Sequence, residues 1–249
     1  MIIAMNLTLN YSPNFQTPKR NAKQIKFIIF HYTGMKKDSE AIARLTDIKS
    51  KVSCHYLIKK DGEIIMMVPD LYSAWHAGKS RWKKNDSLNK NSIGIEICNP
   101  GHEFNYKKFS NRQILSLIKL SKFLTKKYKI KSKNILRHSD IAPDRKKDPG
   151  EKFPWAYLAK KKIGIWHGLD IKILKQLRKE KLSKIDQNSF LENIFKIGYP
   201  KKTSKILNKN KYNIMITKAF QRRYRQSLVN GKSDQECLLI SQDLLKRLH

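Results

Sequence analysis

Short apolar runs, each about the length of a strand, set the first limit on how this chain can fold. Residues 27–31 (FIIFH) and 92–96 (SIGIE) are such runs, and they end in His31 and Glu96. Runs of this length that are rich in β-branched and aromatic residues are typical of buried strands. The abrupt change from apolar to polar residues at each end predicts a functional site at the edge of a sheet.

Other local signals complete the fold prediction. The dipeptide Asp61-Gly62 lies between two apolar runs and predicts a β-hairpin within residues 53–68. Ser110 and Gln113 form the pattern of a capping box, and the apolar residues that follow them recur at helical spacing. Strands mixed with helices, including one hairpin, predict an α/β domain with a mixed central sheet flanked by helices.

The segment 138–150, HSDIAPDRKKDPG, concentrates groups that bind metal ions and anions. Its prolines and its final glycine predict an ordered loop rather than a helix. The loop carries an imidazole at His138 and a carboxylate at Asp148, and His31 offers a second imidazole. Two histidines and one carboxylate, with a fourth position open, form the composition of a catalytic zinc site. Glu96 is then available as the general base beside such a site.

Four motifs, in this order along the chain, resemble those of the zinc-dependent N-acetylmuramoyl-L-alanine amidases of the AmpD/AmiD type. They are FHYTG at 30–34, WHAG at 75–78, SIGIE at 92–96 and HSDIAPDRKKDPGEKFPW at 138–155. The resemblance extends from about residue 10 to about residue 166, and no motif of the family pattern is missing. The last motif is long enough that agreement by chance is not a serious explanation.

The resemblance implies a zinc-dependent hydrolase. One Zn²⁺ per chain would bind His31, His138 and Asp148, and Glu96 would act as the general base. Zinc lowers the pKa of a bound water toward roughly 7, which makes attack on an amide feasible at neutral pH. The bond cleaved would join the lactyl carbonyl of N-acetylmuramic acid to L-alanine. The sequence leaves open whether the substrate is intact peptidoglycan or a soluble anhydro-muropeptide, and hence whether the role is wall turnover or muropeptide recycling.

The resemblance also implies roles for residues that would not bind the metal. Lys146 would stabilise the oxyanion, a role that suits the compact charge of a lysine. Its neighbours Arg145 and Lys147 are expected to point away from the pocket if the loop is extended. Trp75 and His76 of the WHAG motif are expected to bind substrate by lining its groove, although a structural role for His76 is an equal alternative.

Beyond residue 168 the pattern changes to helices, which we predict over 171–178, 187–197, 213–224 and 233–248. Residues 216–236 resemble the small helical peptidoglycan-binding module that follows some AmiD-type catalytic domains. We therefore predict a zinc amidase domain over residues 1–168 and a small all-α, peptidoglycan-binding-like domain over 169–249. The alternative is a helical cap in which Phe220 and Tyr224 are core residues.

The formal net charge of +33 raises the question of a polyanionic partner. The charge is mostly lysine in short, scattered pairs, whereas proteins that bind single-stranded nucleic acid combine a cationic groove with aromatic residues. We therefore predict no nucleic-acid partner. The charge is either a bias of composition or an aid to approaching anionic cell wall, by an attraction that salt screens.

The apolar stretch at residues 1–5 is too short for the core of a signal peptide, and no lipoprotein cysteine lies nearby. The longest apolar runs elsewhere have the length of strands and not of membrane spans. The sequence thus predicts no transmembrane segment and a cytoplasmic bacterial protein. Export to the periplasm by a non-standard route is the alternative, and the oligomeric state is left open.

Two other functions compete with the amidase prediction. A non-catalytic peptidoglycan-recognition protein on the same fold would bind muropeptides without cleaving them, and such proteins typically lack one zinc ligand. Here all three expected ligands are present, together with the expected base and lysine. A nucleic-acid binder would leave the whole of 138–155 unexplained. The sequence therefore favours the enzyme.

Overall fold

The computed structural model describes residues 7–178, 180–201 and 208–248. The strands of this part are β1 Leu7–Leu9, β2 Phe15–Gln16, β3 Phe27–Tyr32, β4 Tyr56–Ile58, β5 Ile64–Met66, β6 Ser73–Ala74, β7 Arg81–Trp82, β8 Asn85–Asp86, β9 Ser92–Ile97 and β10 Ile135–Arg137. The α-helices are α1 Asp38–Thr46, α2 Asn111–Tyr128, α3 His138–Ile141, α4 Trp155–Lys160, α5 Ile171–Leu177, α6 Lys184–Ile197, α7 Lys209–Tyr224 and α8 Gln235–Lys246. Short 3-10 helices lie at Ala22–Gln24, Ile48–Ser50, Leu88–Asn91 and Ser132–Asn134.

The central sheet has six strands in the order β1-β5-β4-β9-β3-β10. Strands β4, β9, β3 and β10 run parallel to one another, while the hairpin partner β5 is antiparallel to β4. The mixed sheet and the hairpin at Asp61-Gly62 confirm the sequence prediction. The register pairs His31 of β3 directly with Glu96 of β9, so the two polar residues lie side by side at the same edge.

One face of the sheet packs against α2 and α4. Ile28 and Phe30 of β3 lie in a buried cluster with Leu117 of α2 and Trp155 of α4. Helix α2 begins at the predicted capping box, in which the Ser110 side chain accepts the N–H of the residue three positions on. Burying each apolar side chain of this size contributes roughly 1.5–3 kcal/mol, so this face holds the sheet firmly in place.

The opposite face is divided between α1 and the C-terminal helices. Leu57 of β4 packs with Leu45 of α1 in one cluster. Ile29 of β3 and Leu136 of β10 lie in another, together with Phe220 of α7 and other side chains of α6 and α8. Because successive residues of a strand point to opposite faces, β3 is covered by α2 and α4 on one face and by the C-terminal helices on the other.

The C-terminal helices form as predicted, with bounds shifted by a few residues. The predicted division at residue 168 stays a prediction, but the packing gives the helical part no separate core among the described residues. Phe220 is completely buried and Tyr224 is 3% exposed, within the cluster that includes the sheet. Phe220 and Tyr224 are therefore core residues, as the alternative of a helical cap describes them. None of the described helices is both long and apolar enough to cross a membrane.

Candidate active site

Three strand ends bring the predicted site residues together. His31 of β3 and Glu96 of β9 are paired in register, and His138 follows directly after β10, which is parallel to β3. In an open sheet the carboxyl ends of parallel strands meet at one edge, where α/β proteins commonly bind ligands. The strand order therefore explains why residues more than a hundred positions apart share one site.

We call residues 138–151 the ligand loop; its first four residues form the short helix α3, so the expectation that the whole segment is non-helical was wrong. Its ends are held together because Ser139 donates hydrogen bonds from both its N–H and its hydroxyl to the backbone carbonyl of Asp148, at 3.2 and 3.0 Å. Gly150 has a φ of +84°, and a Cβ there would lie 2.5 Å from the Tyr106 hydroxyl. That hydroxyl donates to the carbonyl of Pro149 at 2.6 Å. The loop is therefore fixed around Asp148.

His31, His138 and Asp148 place three ligand atoms together in a buried position. The Nδ1 atoms of the two imidazoles are 2.9 Å apart, and Oδ2 of Asp148 lies 3.0 Å from His138 Nδ1 and 3.2 Å from His31 Nδ1. Tetrahedral zinc with bonds of about 2.0–2.1 Å has ligand atoms roughly 3.3 Å apart. The donor set and its spacing both fit a zinc ion.

The outer nitrogens of the two imidazoles face acceptors. His138 Nε2 lies 3.2 Å from the carbonyl of Ala77, and His31 Nε2 lies 3.0 Å from Nδ1 of His76. An N–H that points outward leaves the lone pair of Nδ1 directed inward, as metal-binding histidines require. Burial, reinforced by His138, lowers the pKa of His31 to about 4, so this imidazole is held in the neutral form that binds metals.

His76 lines the cavity, as predicted, and it also has the hydrogen-bonded structural role that the sequence analysis gave as the alternative. Ser92 donates its hydroxyl to the carbonyl of Leu88 at 2.5 Å, so its oxygen is left to accept from His76 Nε2 at 3.1 Å. Nδ1 of His76 then carries no proton and accepts from His31 Nε2. The imidazole crosses β9 at Gly94, where a Cβ would lie 2.3 Å from the ring. His76 borders the cavity, but both of its ring nitrogens make hydrogen bonds within the protein, one to His31 and one to Ser92.

We expect His76→Leu to weaken zinc affinity by about 10–100-fold, because it leaves the outer N–H of His31 without a partner. His76→Gln keeps an oxygen that can accept this hydrogen bond, so its zinc affinity should fall less. Competition with a chromophoric chelator measures both affinities. Equal affinities for wild type and His76→Leu would show that His76 does not orient the ligand.

Glu96 lies next to the three ligand candidates. Its Oε1 is 4.0 Å from His31 Nδ1, and its Oε2 is buried without a hydrogen-bond partner in the described part of the chain. Burial raises the pKa of Glu96 to about 8; the charge of Asp148 adds to this effect and that of Lys146 opposes it. A carboxylate with an unused oxygen and a pKa near neutrality is suited to taking up and releasing a proton.

Asp148 is the acidic member of the site. Burial alone would raise the pKa of its carboxyl group, but His138 and His31 hold that pKa well below its usual range. The carboxyl is therefore ionised at neutral pH, which is the form that binds a metal. The pKa of the neighbouring Glu96 is shifted in the opposite direction. The environments of the two carboxyl groups therefore differ, and the two groups can have different roles.

The cations of the ligand loop are arranged differently from the sequence expectation. Residues 143–145 form a turn, and the N–H of Lys146 bonds to the carbonyl of Ala142 at 3.0 Å, so the side chains do not alternate. Arg145, Lys146 and Lys147 all line the cavity. The expectation that Arg145 and Lys147 point away from the pocket was therefore wrong for both residues. Arg145 is also bonded to the backbone around the site. Its guanidinium donates to the carbonyls of Ala77 and Lys79, both at 2.6 Å.

The cavity over these residues has a volume of about 510 Å³. Trp75 and Lys146 line it, as predicted, and so do Tyr32 and His102, to which the sequence gave no role. The Tyr32 hydroxyl lies 2.9 Å from Nδ1 of His102, and Nε2 of His102 lies 3.0 Å from Glu151 of the ligand loop. Tyr32 lies in the FHYTG motif, but no motif contains His102, and the hydrogen bonds show that the two residues act together.

Comparison with known proteins identifies the family. The sequence matches the profile of the N-acetylmuramoyl-L-alanine amidase family over residues 21–151, which is more than half of the chain. This chain belongs to that family. The matched region contains His31, Glu96, His138 and Asp148, and the confirmed membership makes the chain an amidase.

Individual amidases extend the match. The chain is 36% identical to the N-acetylmuramoyl-L-alanine amidase AmiD of Escherichia coli over 236 residues, which cover 90% of this chain and 83% of AmiD. It is 41% identical over 106 residues to the E. coli 1,6-anhydro-N-acetylmuramyl-L-alanine amidase AmpD, over 43% of this chain and 56% of AmpD. The similarity to AmiD therefore includes the C-terminal helices.

Solved structures of amidases agree with the fold. E. coli AmiD in complex with anhydro-N-acetylmuramic acid-L-Ala-D-γ-Glu-L-Lys has a TM-score of 0.79 and 33% identity, and the match covers 93% of each chain. AmpDh3 of Pseudomonas aeruginosa in complex with an anhydromuramic pentapeptide has a TM-score of 0.78 and 29% identity, over 97% of this chain and 98% of that one. The predicted amidase fold is confirmed.

Proposed function

We propose that this amidase hydrolyses the amide bond between N-acetylmuramic acid and L-alanine in muropeptides, with one Zn²⁺ held by His31, His138 and Asp148. The observation that carries the proposal is the buried triangle of two Nδ1 atoms and one carboxylate oxygen, with edges of 2.9–3.2 Å. Zinc bound there would lower the pKa of a water molecule and polarise the substrate carbonyl. The chain's own side chains supply the rest of the chemistry.

Glu96 is the group that moves protons. Its carboxylate lies beside the ligand candidates and accepts a proton from the attacking water. The leaving group is an amine, which must be protonated to depart, and the same carboxyl group can return the proton to it. A pKa raised to about 8 by burial, with a contribution from Asp148, makes the protonated form easy to reach. The single carboxyl therefore serves as base and then as acid.

Lys146 stabilises the negative charge that develops on the carbonyl oxygen. It lines the cavity and is near enough to Glu96 and His31 to lower the pKa of each. Arg145 is less suited to this role, because its guanidinium already bonds to backbone carbonyls. A cation fixed where charge develops lowers the barrier without rearrangement during the reaction.

Lys146→Ala should lower kcat by roughly 10²–10³ while zinc content stays near one per chain, because one oxyanion-stabilising group is lost. Lys147→Ala is the matched control, since it removes the same charge from the adjacent position and should have a much smaller effect. Rates on a soluble anhydro-muropeptide, together with metal analysis, provide the measurement. If Lys147→Ala were the more damaging variant, the oxyanion role would belong to Lys147.

The form of the substrate is a separate part of the proposal. AmiD and AmpDh3 were solved with soluble anhydromuramic peptides, which supports a muropeptide as the substrate here. We also propose a cytoplasmic location, where soluble fragments would be the available form of the substrate. Mass spectrometry of the products from purified sacculi and from soluble anhydro-muropeptides, at equal enzyme concentration, tests this choice. Faster release of peptides from sacculi would favour intact wall as the substrate.

A further inference from the structure

The C-terminal end of α7 contacts both ends of the ligand loop. Two adjacent residues of this helix, Arg222 and Arg223, reach Glu151 at one end of the loop and Asp140 at the other. Helix α7 belongs to the part of the chain that was predicted to form a separate wall-binding module. Its contacts instead fall on the segment that carries two of the three zinc ligand candidates.

Asp140 is the centre of the stronger contact. Its carboxylate is fully buried and accepts hydrogen bonds from Arg137 at 2.7 and 2.9 Å, from Arg223 at 2.5 Å and from Tyr199 at 2.7 Å. Arg223 also lies over the ring of Trp155, at 4.2 Å from its centroid. A buried ionic network requires nearly ideal geometry to offset the loss of hydration, so it holds its members in one arrangement.

The network is directly connected to a zinc ligand candidate. Asp140 and His138 lie on the same short helix, α3, only two residues apart. Oδ2 of Asp140 also accepts the backbone N–H of Arg137, the residue before His138, at 3.1 Å. Any shift of Asp140 therefore moves the backbone that carries the His138 imidazole.

The second contact lies at the other end of the ligand loop. Nε of Arg222 is 3.9 Å from Oε2 of Glu151, three residues after Asp148. Just beyond the loop, Gln226 donates a hydrogen bond to the backbone carbonyl of Phe153 at 2.6 Å. The end of α7 and the residue Gln226 just beyond it thus contact the chain both before and after Lys146 and Asp148.

We propose that the C-terminal end of α7 is a positioning element of the active site, which acts through Arg223 and Asp140 on His138 and through Arg222 and Glu151 on Asp148. This inference rests on the proposed zinc site. It assigns the C-terminal helices a part in forming that site, beyond covering one face of the sheet. Arg223 and Tyr199 are positioning residues, because they act through Asp140 and touch neither the cavity nor the ligand atoms.

A matched pair of variants tests the inference. Arg225 resembles Arg223 in being buried and ion-paired, with Asp234 and Glu236, but the polar partners of its side chain in the described residues all lie between 228 and 236. Arg223→Met should weaken zinc affinity by about 10–100-fold, because it removes a group that helps to position the ligand His138. Arg225→Met should leave zinc affinity within about twofold, as expected for a site that shares no partners with the zinc ligands.

The readout is the zinc dissociation constant of the full chain, obtained by chelator competition, with urea unfolding to compare the stabilities of the two variants. If Arg223→Met fails to fold, Tyr199→Phe replaces it and removes only the hydroxyl bond to Asp140. Tyr212→Phe is then the control, because it removes a similar buried bond of 2.6 Å to the carbonyl of Pro200.

The outcomes separate this inference from the proposed function. Weaker zinc binding in Arg223→Met or Tyr199→Phe, with unchanged binding in the matched control, supports positioning by α7. Equal zinc affinities of a variant and its matched control, both folded, would overturn the positioning role. The C-terminal helices would then only pack against the sheet. Absence of stoichiometric zinc in wild type would instead refute the proposed zinc site.

Discussion

Replacement of His138 by alanine is expected to abolish both stoichiometric zinc binding and amidase activity. The imidazole supplies one of the three ligand candidates found among the described residues, and its Nδ1 lies 2.9 Å from that of His31 and 3.0 Å from the carboxylate of Asp148. Removing it leaves one histidine and one carboxylate, too few protein ligands for a catalytic zinc site. Metal analysis of the purified protein and rates on a soluble anhydro-muropeptide provide the measurement.

Thermal or urea unfolding adds a readout that does not depend on catalysis. A ligand that binds only the folded state stabilises it by about 2.7 kcal/mol at a free concentration of 100 times Kd. Zinc should therefore stabilise wild type and have little effect on His138→Ala. His102→Ala is the control, because His102 lines the same cavity outside the ligand triangle and should retain zinc. Full activity in wild type stripped of metal would refute the zinc mechanism.

Local sequence signals predicted the elements of the fold because each signal acts within a few residues. The capping box at Ser110 forms the start of α2, and Asp61-Gly62 lies in the turn between β4 and β5. The residues at the strand ends were identified for the same reason, since a polar residue that follows a buried apolar run is visible in the sequence. Their convergence, with His31 opposite Glu96, depends on the strand order, which no local signal gives. The family resemblance implied only that these residues share one zinc site.

Contacts between distant parts of the chain could not be predicted in this way. His76 lies behind His31 only because Gly94 leaves room for its ring, and no local pattern connects these positions. Arg223 reaches Asp140 across 83 positions of sequence. The resemblance of 216–236 to a wall-binding module implied helices, which form, but the packing of Phe220 against the sheet is a contact between distant residues that no local pattern gives.

Replacement of Glu96 by glutamine should lower kcat by about 10²–10⁴, because the amide has nearly the same shape but cannot accept a proton. The zinc content should remain close to one per chain, since Glu96 is outside the group of three ligand candidates. The pKa of Glu96 is raised to about 8, by burial first and by Asp148 second, which means that its charged form is unfavourable in the folded protein. Replacing it by a neutral amide should therefore not destabilise the fold. Metal analysis, unfolding and single-turnover rates separate these effects.

The comparison of Glu96→Gln with His138→Ala decides which carboxyl and imidazole groups hold the metal and which move protons. Both variants should be nearly inactive, but only His138→Ala should lose zinc. The short distance of 4.0 Å between Glu96 Oε1 and His31 Nδ1 makes this distinction necessary, because a carboxylate so close could itself be a ligand. Loss of zinc from Glu96→Gln would reassign Glu96 to the metal and require a different base. Retention of zinc with a large fall in kcat assigns the proton transfers to Glu96, whose Oε1 lies 4.0 Å from His31 Nδ1 and whose buried Oε2 has no hydrogen-bond partner among the described residues.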